Sequence, residues 1–333
     1  MLKITRRRAL ALLGAGTACV FGLLPRSPAA AAGRVVTVGT LVGPDKPETR
    51  VWHYIRDIIE KELPGRFQFR IVPNAALGRG EKELAEGIRL GSIQASVNTS
   101  SAFSGWAPRT QILDLPFLFK NREHLQRVLE VELGEELKNS LAAEGFVALG
   151  YVGYGARCLL AKELVLAPET LAGKRVRSIP NPVHTAMWRS FRAQPVTLPI
   201  AETYNALKTG VVEAMDLNKS AYAALKLYEV APYLMETGHI QAGGIIYAAE
   251  KFWLALPAGE KAVFAAAAAQ GAARFNELIL EDERKAEEEV LGAGGHIVHL
   301  PDISPWERDA RGVWELFAPG LGGLERIKAI HDA

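Results

Sequence analysis

Strand and helix patterns alternate along almost the whole chain, and this alternation constrains the fold more than any other feature. Residues 35–40 and 67–71 alternate apolar and polar side chains, as strands do, and the segment around Trp52 between them has apolar residues at helical spacing. The same order recurs from residue 81 to residue 97 and from residue 175 to residue 216. Repeated strand–helix units indicate an α/β fold with helices packed on a largely parallel sheet.

Residues 259–291 differ from the rest because they are rich in Ala, Glu, Lys and Leu and contain no proline. This composition predicts helix, and about 30 residues at about 1.5 Å each would extend about 45 Å. A helix of that length can lie along both halves of a two-lobed protein and connect them. Gly271 leaves a second interpretation open, in which two shorter helices meet near that residue.

The first 32 residues have the three parts of a secretory signal peptide. Lys3 and the arginines at 6–8 precede an apolar run at 9–24, and small residues fill 29–32. The apolar run is shorter than the roughly 20 residues that a membrane span needs. The consecutive arginines are compatible with twin-arginine export and with ordinary secretion. We therefore expect an exported, periplasmic protein that does not itself span the membrane.

Removal of this leader changes the net charge of the chain. The whole sequence has 39 Lys and Arg against 37 Asp and Glu, a net charge of +2. Five of the basic residues and none of the acidic ones lie in residues 1–32, so the mature chain has a net charge of −3. A chain with this balance has no overall positive field for nucleic acid.

The cysteines exclude a disulfide-stapled scaffold. Cys19 falls in the leader and Cys158 alone remains in the mature chain, so no internal disulfide can form. Cys19 would be the attachment site of a lipoprotein, but residues 16–18 match that signal poorly. We interpret Cys158 as a small apolar side chain of the core.

Motifs of the common enzyme classes are absent from the sequence, which contains no GxSxG, HExxH, P-loop or GxGxxG pattern. His296 and His299 are close together, but residues three apart in a strand face opposite sides, which argues against a metal site. We therefore expect a binding protein without catalysis, cofactor or metal.

Several segments resemble the solute receptors of tripartite ATP-independent periplasmic (TRAP) transporters, of the DctP type. They cover essentially the whole mature chain in the order typical of that family: Ala76–Gly78 with Glu81, Leu113–Phe119, Leu171–Arg177, Ala201–Glu213, Leu227–Val230, and Lys251–Trp253 with Leu256 and Pro257. The resemblance implies a two-lobed periplasmic binding protein (flytrap) fold, with mixed sheets flanked by helices and a long helix spanning both lobes. On that basis, lobe I comprises residues 33–154 and 243–282, and lobe II comprises residues 155–242 and 283–333.

The resemblance also implies a function. It indicates an extracytoplasmic receptor, which we expect to be a monomer, that binds a small organic acid and delivers it to the TRAP membrane permease subunits. Two alternatives remain: a receptor that feeds a signalling protein, and a periplasmic enzyme on a receptor scaffold. Turnover of a bound acid would support the enzyme alternative, and so would a buried Cys158 or His184 that proved essential.

Two arginines are the main candidates for ligand binding. Arg177 ends a strand just before Ile179 and Pro180, where ligands gather in open α/β sheets. It matches the arginine that clamps the ligand carboxylate in the family, and a planar guanidinium suits that role because it presents two parallel donors. Arg157 resembles a second arginine that can face the ligand, although it can instead form an ion pair between the lobes.

Further candidates lie in the first lobe and after residue 212. Glu81 matches an acidic position near the cleft, although an acid at a helix start also caps the helix. Leu217 stands where the family usually has a ligand-binding asparagine. We therefore expect Asp216 to meet an amine, a hydroxyl or a cation, and Asn218 to replace the missing amide. The remaining candidates are polar or aromatic, and the aromatic ones can instead be core residues: Thr99, Ser100, Phe103, Trp106 and Tyr204.

Overall fold

Residues 33–333 are described by the computed structural model, and the predicted leader, residues 1–32, lies outside the described residues. Nine strands run through the described part of the chain: β1 (Arg34–Gly39), β2 (Phe67–Val72), β3 (Ala95–Thr99), β4 (Phe146–Ala161), β5 (Arg175–Ser178), β6 (Gln194–Thr197), β7 (Ala214–Leu217), β8 (Tyr233–Ala249) and β9 (His296–Val298). They form one sheet in the order β2-β1-β3-β8-β4-β7-β5-β6, and β9 also pairs with β8.

The sheet is mixed, as the family resemblance implies, and not largely parallel as the strand–helix alternation indicates. The parallel pairs are β1 with β2 and β3, β5 with β6 and β7, and β8 with β9. The antiparallel pairs all involve β4 or β8, and these two long strands also pair with each other. The difference arises because β8, an almost entirely buried strand, is not identified by the sequence pattern.

The long strands β4 and β8 connect the two lobes. The first part of β4 pairs with the part of β8 that lies beside β3, and residues 158–161 of β4 lie beside β7. The register of the β4–β8 pair shifts between Gly153 and Gly155, and Gly155 has a φ of 87°. Glycine adopts that backbone conformation without the steric penalty of a side chain. The irregularity therefore interrupts the regular pairing of the two long strands at this point.

Eleven α-helices of the described chain flank the sheet: α1 (Pro47–Glu62), α2 (Glu81–Arg89), α3 (Arg122–Leu129), α4 (Glu132–Ala142), α5 (Pro182–Ser190), α6 (Thr203–Thr209), α7 (Lys219–Ala224), α8 (Glu250–Leu254), α9 (Ala258–Gly292), α10 (Ser304–Phe317) and α11 (Leu324–Asp332). Within residues 33–333, none of them combines the length and the apolar character that crossing a membrane requires.

The long predicted helix is one uninterrupted helix, α9, of 35 residues. It packs on α1 in the first lobe and on α7 in the second, so it spans both. Gly271 does not break it, because this residue is buried against α1, where an added Cβ would lie 2.6 Å from the Cγ1 atom of Ile55. The interpretation with two shorter helices is therefore wrong.

Three clusters of buried apolar side chains form the core. One lies on the β1–β3 side of the sheet and includes Trp52, a second surrounds Trp188 and Trp306, and a third includes Cys158 and Tyr222. Burial raises the pKa of the Cys158 thiol to about 12. A thiol that stays protonated is a poor nucleophile, so this residue acts as a packing side chain.

Candidate functional site

A cavity of about 450 Å³ lies between elements of the two lobes. Its volume is within the ~300–1,000 Å³ range of small-molecule sites. Six of the ten predicted site residues line it: Glu81, Thr99, Trp106, Arg157, Arg177 and Asn218. Glu81 and Thr99 belong to α2 and β3, whereas Arg177 belongs to β5, so both lobes contribute to the wall.

Arg177 is buried in the cavity wall with part of its guanidinium unpaired. Arg177 is only 3% exposed to solvent, and its Nε atom donates to the Leu198 carbonyl at 3.1 Å. Among residues 33–333, neither Nη atom has a hydrogen-bond acceptor and no carboxylate forms a salt bridge with the group. Burial and the nearby charge of Arg157 lower the pKa of Arg177 to about 10, so it remains a cation at neutral pH.

Arg157 differs because it already has a counter-ion. Its Nε atom donates to the Asp216 carboxylate, and its Nη2 atom donates to the Asp216 carbonyl at 3.1 Å. Burial alone would lower the pKa of Arg157, but the charge and hydrogen bond of Asp216 outweigh burial and raise it. The two residues lie on the neighbouring strands β4 and β7 of one lobe. The alternative of an ion pair between lobes is therefore corrected to one within the second lobe.

Asp216 lies behind Arg157 and does not reach the cavity. It is fully buried, and its Oδ2 atom also lies 3.2 Å from His239 Nε2. Burial alone would raise the pKa of Asp216, but Arg157 and His239 hold it well below its usual value. The described residues contain no cluster of three or more His, Cys, Asp or Glu side chains that could hold a metal. The predicted contact of Asp216 with a ligand or a cation stays a prediction, and in this structure its Oδ2 atom pairs with Arg157 and the residue does not line the cavity.

Asn218 lines the cavity, but most of its amide serves the fold. Its Oδ1 atom accepts from the backbone N–H of Ala221 at 2.8 Å and caps α7, while its Nδ2 atom donates to the Tyr154 carbonyl. Leu217 beside it presents an apolar surface to the cavity. The segment therefore supplies less polar contact than the expected asparagine would.

Glu81 is held at the opposite wall by Thr99. Its two carboxylate oxygens accept from the Thr99 backbone N–H at 2.8 Å and from the Thr99 hydroxyl at 2.6 Å. Burial raises the pKa of Glu81, although these hydrogen bonds oppose the shift. Trp106 also lines the cavity, with Lys82 Nζ 5.9 Å from its ring centroid.

Besides Asp216, three predicted site residues do not line the cavity. The 3₁₀ turn at Ser100–Phe103 directs Ser101 and Ala102 to the cavity and buries the other two side chains. Phe103 is fully buried, and its ring packs edge-on against two core aromatic rings. Tyr204 lies outside the cavity, with its hydroxyl 2.6 Å from a surface glutamate. In this structure Ser100, Phe103 and Tyr204 therefore do not line the cavity.

The family model described as bacterial extracellular solute-binding protein, family 7, matches residues 38–319 of this chain. The chain belongs to this family, the DctP-type receptors of TRAP transporters. A solute-binding protein of Verminephrobacter eiseniae is 30% identical over 241 residues, which cover 72% of each chain. The C4-dicarboxylate-binding periplasmic protein DctP of Rhodobacter capsulatus is 28% identical over 334 residues, which cover 99% of each chain.

A solved DctP-type structure has the same architecture. The TRAP periplasmic solute-binding protein of Polaromonas sp. JS666, bound to D-erythronate, is similar with a TM-score of 0.86 and 25% identity. The match covers 90% of this chain and 98% of that chain. The predicted two-lobed fold is confirmed.

Glu48 and Tyr154 line the DctP cavity but are not identified from the sequence. Glu48 is in the first turn of α1, and its Oε2 atom is buried without a hydrogen-bond partner in residues 33–333. Burial raises the pKa of Glu48 to about 7, and the charges of Asp282 and Glu81 act in the same direction. An acid in the first turn of a helix usually complements the helix dipole, so nothing in the pattern distinguishes this one.

The two lobes also touch beside the cavity. Arg79, just before α2, forms a salt bridge of 3.2 Å with Glu202, just before α6. The backbone N–H of Ala201 donates to the Arg79 carbonyl at 3.2 Å. These contacts join the loops that carry the cavity residues Gly80 and Ile200.

Proposed function

We propose that this DctP protein is a periplasmic receptor that binds a small organic acid through Arg177 and delivers it to the membrane permease subunits of a TRAP transporter. The observation that carries the proposal is the guanidinium of Arg177 in the cavity wall, whose Nη atoms have no acceptor within residues 33–333. A buried cation without a counter-ion is unfavourable, and a bound carboxylate removes that cost.

The guanidinium geometry suits an anion with two parallel acceptors, as a carboxylate has. Nε is fixed to the Leu198 carbonyl, so the group is oriented before the ligand arrives. The planar fork then offers parallel donors to both carboxylate oxygens. Pre-orientation reduces the entropy lost on binding.

Ligand-dependent closure follows from the position of the cavity between lobes. We propose that residues 33–154 with 243–282 form one lobe and residues 155–242 with 283–333 the other. A ligand that contacts both lobes binds the closed state more tightly, and this difference in affinity shifts the population towards closure. The closed form would then dock on the permease.

The family comparisons support a carboxylate ligand. One relative is named for C4-dicarboxylates and a solved relative holds D-erythronate, and these ligands share a carboxylate group. Residues 1–32 are proposed to be removed on export to the periplasm, which is where such a receptor meets its solute.

A thermal-shift screen of organic acids tests the proposal. A ligand at about 100 times its Kd stabilises the folded protein by about 2.7 kcal/mol, which raises the melting temperature measurably. Arg177→Ala should abolish the shift given by the best acid, and Arg177→Lys should weaken binding at least tenfold because it keeps the charge and loses the fork. Arg175→Ala is the matched control, since this arginine lies on the same strand, outside the cavity.

Two results would overturn the proposal. One is a screen in which no carboxylate raises the melting temperature of the wild-type protein. The other is an Arg177→Ala variant that binds the best acid as tightly as the Arg175→Ala control does.

A further inference from the structure

Within residues 33–333, the cavity wall has one buried cation without a salt-bridge partner. Arg157 is paired with Asp216, so its charge is neutralised inside the second lobe. Arg177 has no such partner among the described residues. A ligand with one carboxylate satisfies this cation, and a second carboxylate would find no equivalent group.

Two acids line the same cavity from the first lobe. Glu48 and Glu81 are both wall residues, and no salt bridge within residues 33–333 joins either of them to Arg157 or Arg177. The Oε2 atom of Glu48 is buried and has no hydrogen-bond donor in that range. The Glu81 oxygens accept from Thr99 and each keeps a further lone pair. This wall therefore accepts hydrogen bonds and repels anions.

Lys82 also lines the cavity, and this residue is exposed to solvent. The neighbouring carboxylates of Glu83 and Glu86 form salt bridges with Arg79 and Arg89. An exposed ammonium is screened by water and salt, so Lys82 is a weak site for a second ligand carboxylate.

We infer that the ligand is a hydroxylated acid with a single carboxylate, which binds Arg177 while the ligand's hydroxyl groups donate to Glu48 and Glu81. The inference rests on the proposed function, because it assumes the carboxylate at Arg177. Glu48 acts as a specificity residue that disfavours a second carboxylate.

A hydroxyl group suits Glu48 better than an ammonium group does. Because burial raises the pKa of Glu48 to about 7, the side chain is only partly ionised at neutral pH. An ammonium group pairs only with the carboxylate form. A hydroxyl group can donate to the carboxylate form and accept from the carboxylic acid form, so it pairs with both.

Calorimetric titration of matched acids at pH 7.5 tests the inference. The six-carbon set is hexanoate, D-galactonate, adipate, galactarate and 6-aminohexanoate, and the four-carbon set is butyrate, D-erythronate, succinate, tartrate and 4-aminobutyrate. In the set that fits the cavity, the hydroxylated monocarboxylate should bind at least tenfold more tightly than each other member. Glu48→Gln should reduce the ratio of affinities for the hydroxylated monocarboxylate and the dicarboxylates at least threefold. Glu60→Gln, at an exposed position of the same helix, should leave this ratio unchanged.

The outcomes separate this inference from the proposed function. If a dicarboxylate or an amino acid binds wild-type protein most tightly and Arg177→Ala abolishes that binding, the inference is wrong and the proposed function stands. If no acid of either set binds, or if binding survives Arg177→Ala, the proposed function fails and the inference fails with it. The wild-type comparison decides the ligand class even where Glu48→Gln lowers the yield of folded protein.

Discussion

Asp216→Asn should destabilise the protein strongly, because it leaves the Arg157 charge buried without a counter-ion. Arg157 is 5% exposed and Asp216 is fully buried. Removing one partner of a buried ion pair costs about 3–5 kcal/mol. The asparagine keeps a hydrogen-bond acceptor for Arg157, so we expect the lower end, about 3 kcal/mol. In a chain of this size that corresponds to a fall in melting temperature of roughly 6 °C.

Urea unfolding of Arg157→Met, Asp216→Leu and the double variant measures how strongly the two side chains are coupled. Replacing both partners by apolar side chains, as in Arg157→Met with Asp216→Leu, should cost about 2 kcal/mol less than the sum of the single changes. If the single changes add within about 0.5 kcal/mol, the pair is not coupled and the reasoning is refuted.

The pH dependence gives the Asp216 prediction a second check. The pKa of Asp216 is held well below its usual value of 3.8 in the folded protein. The stability from its ionised form is therefore complete above that value and is lost as the pH falls further. The difference in free energy of unfolding between wild-type and Asp216→Asn should stay constant from about pH 5 to 8 and shrink below about pH 4.

Of three further substitutions, one should stabilise the protein and two should destabilise it. Glu48→Gln should stabilise the protein above pH 7 by about 3 kcal/mol and have little effect near pH 4.5. The reason is that the pKa of Glu48 is raised from 4.5 to about 7 by folding, so its ionisation between these pH values destabilises the folded state. Urea unfolding at pH 4.5 and above pH 7 checks this. Gly155→Ala should lower the unfolding free energy by about 1–3 kcal/mol, because φ is positive and the new Cβ would lie 2.0 Å from Glu283 Oε1. Gly271→Ala should lower the melting temperature despite a helix-propensity gain of about 1 kcal/mol, because the methyl group would overlap α1, whereas Gly259→Ala, in open space on the same helix, should not.

The fold class and most elements follow from local patterns in the sequence. The strands at β1, β2 and β5 have alternating or short apolar runs between turn residues, and α9 has an uninterrupted helical composition. Local patterns suffice here because each element is defined by its own neighbours. The connection between the two lobes depends on β8 instead, whose near-continuous burial removes the alternation that marks a strand.

The cavity wall is less predictable because small local rotations decide which side chains face it. Ser100 and Ser101 are adjacent and chemically equal, yet the 3₁₀ turn places only Ser101 at the wall. Glu48 has the same sequence context as an ordinary helix-start acid and is distinguished only by burial without a partner. The family resemblance supplies positions for the arginines but gives no signal for this residue.

Arg157 and Arg177 look equivalent in the sequence. In the structure, residues 216–218 determine that Arg157 has a counter-ion, whereas Arg177 has none within residues 33–333. Asp216 is committed to Arg157, Leu217 is apolar, and Asn218 caps α7. This segment therefore has little polar capacity left for a ligand. Hydrogen-bond capacity at the cavity wall remains in the other lobe, at Glu48 and the oxygens of Glu81. A ligand anchored by its carboxylate in one lobe must satisfy its other polar groups in the other lobe, so full binding energy is reached only when the lobes are closed.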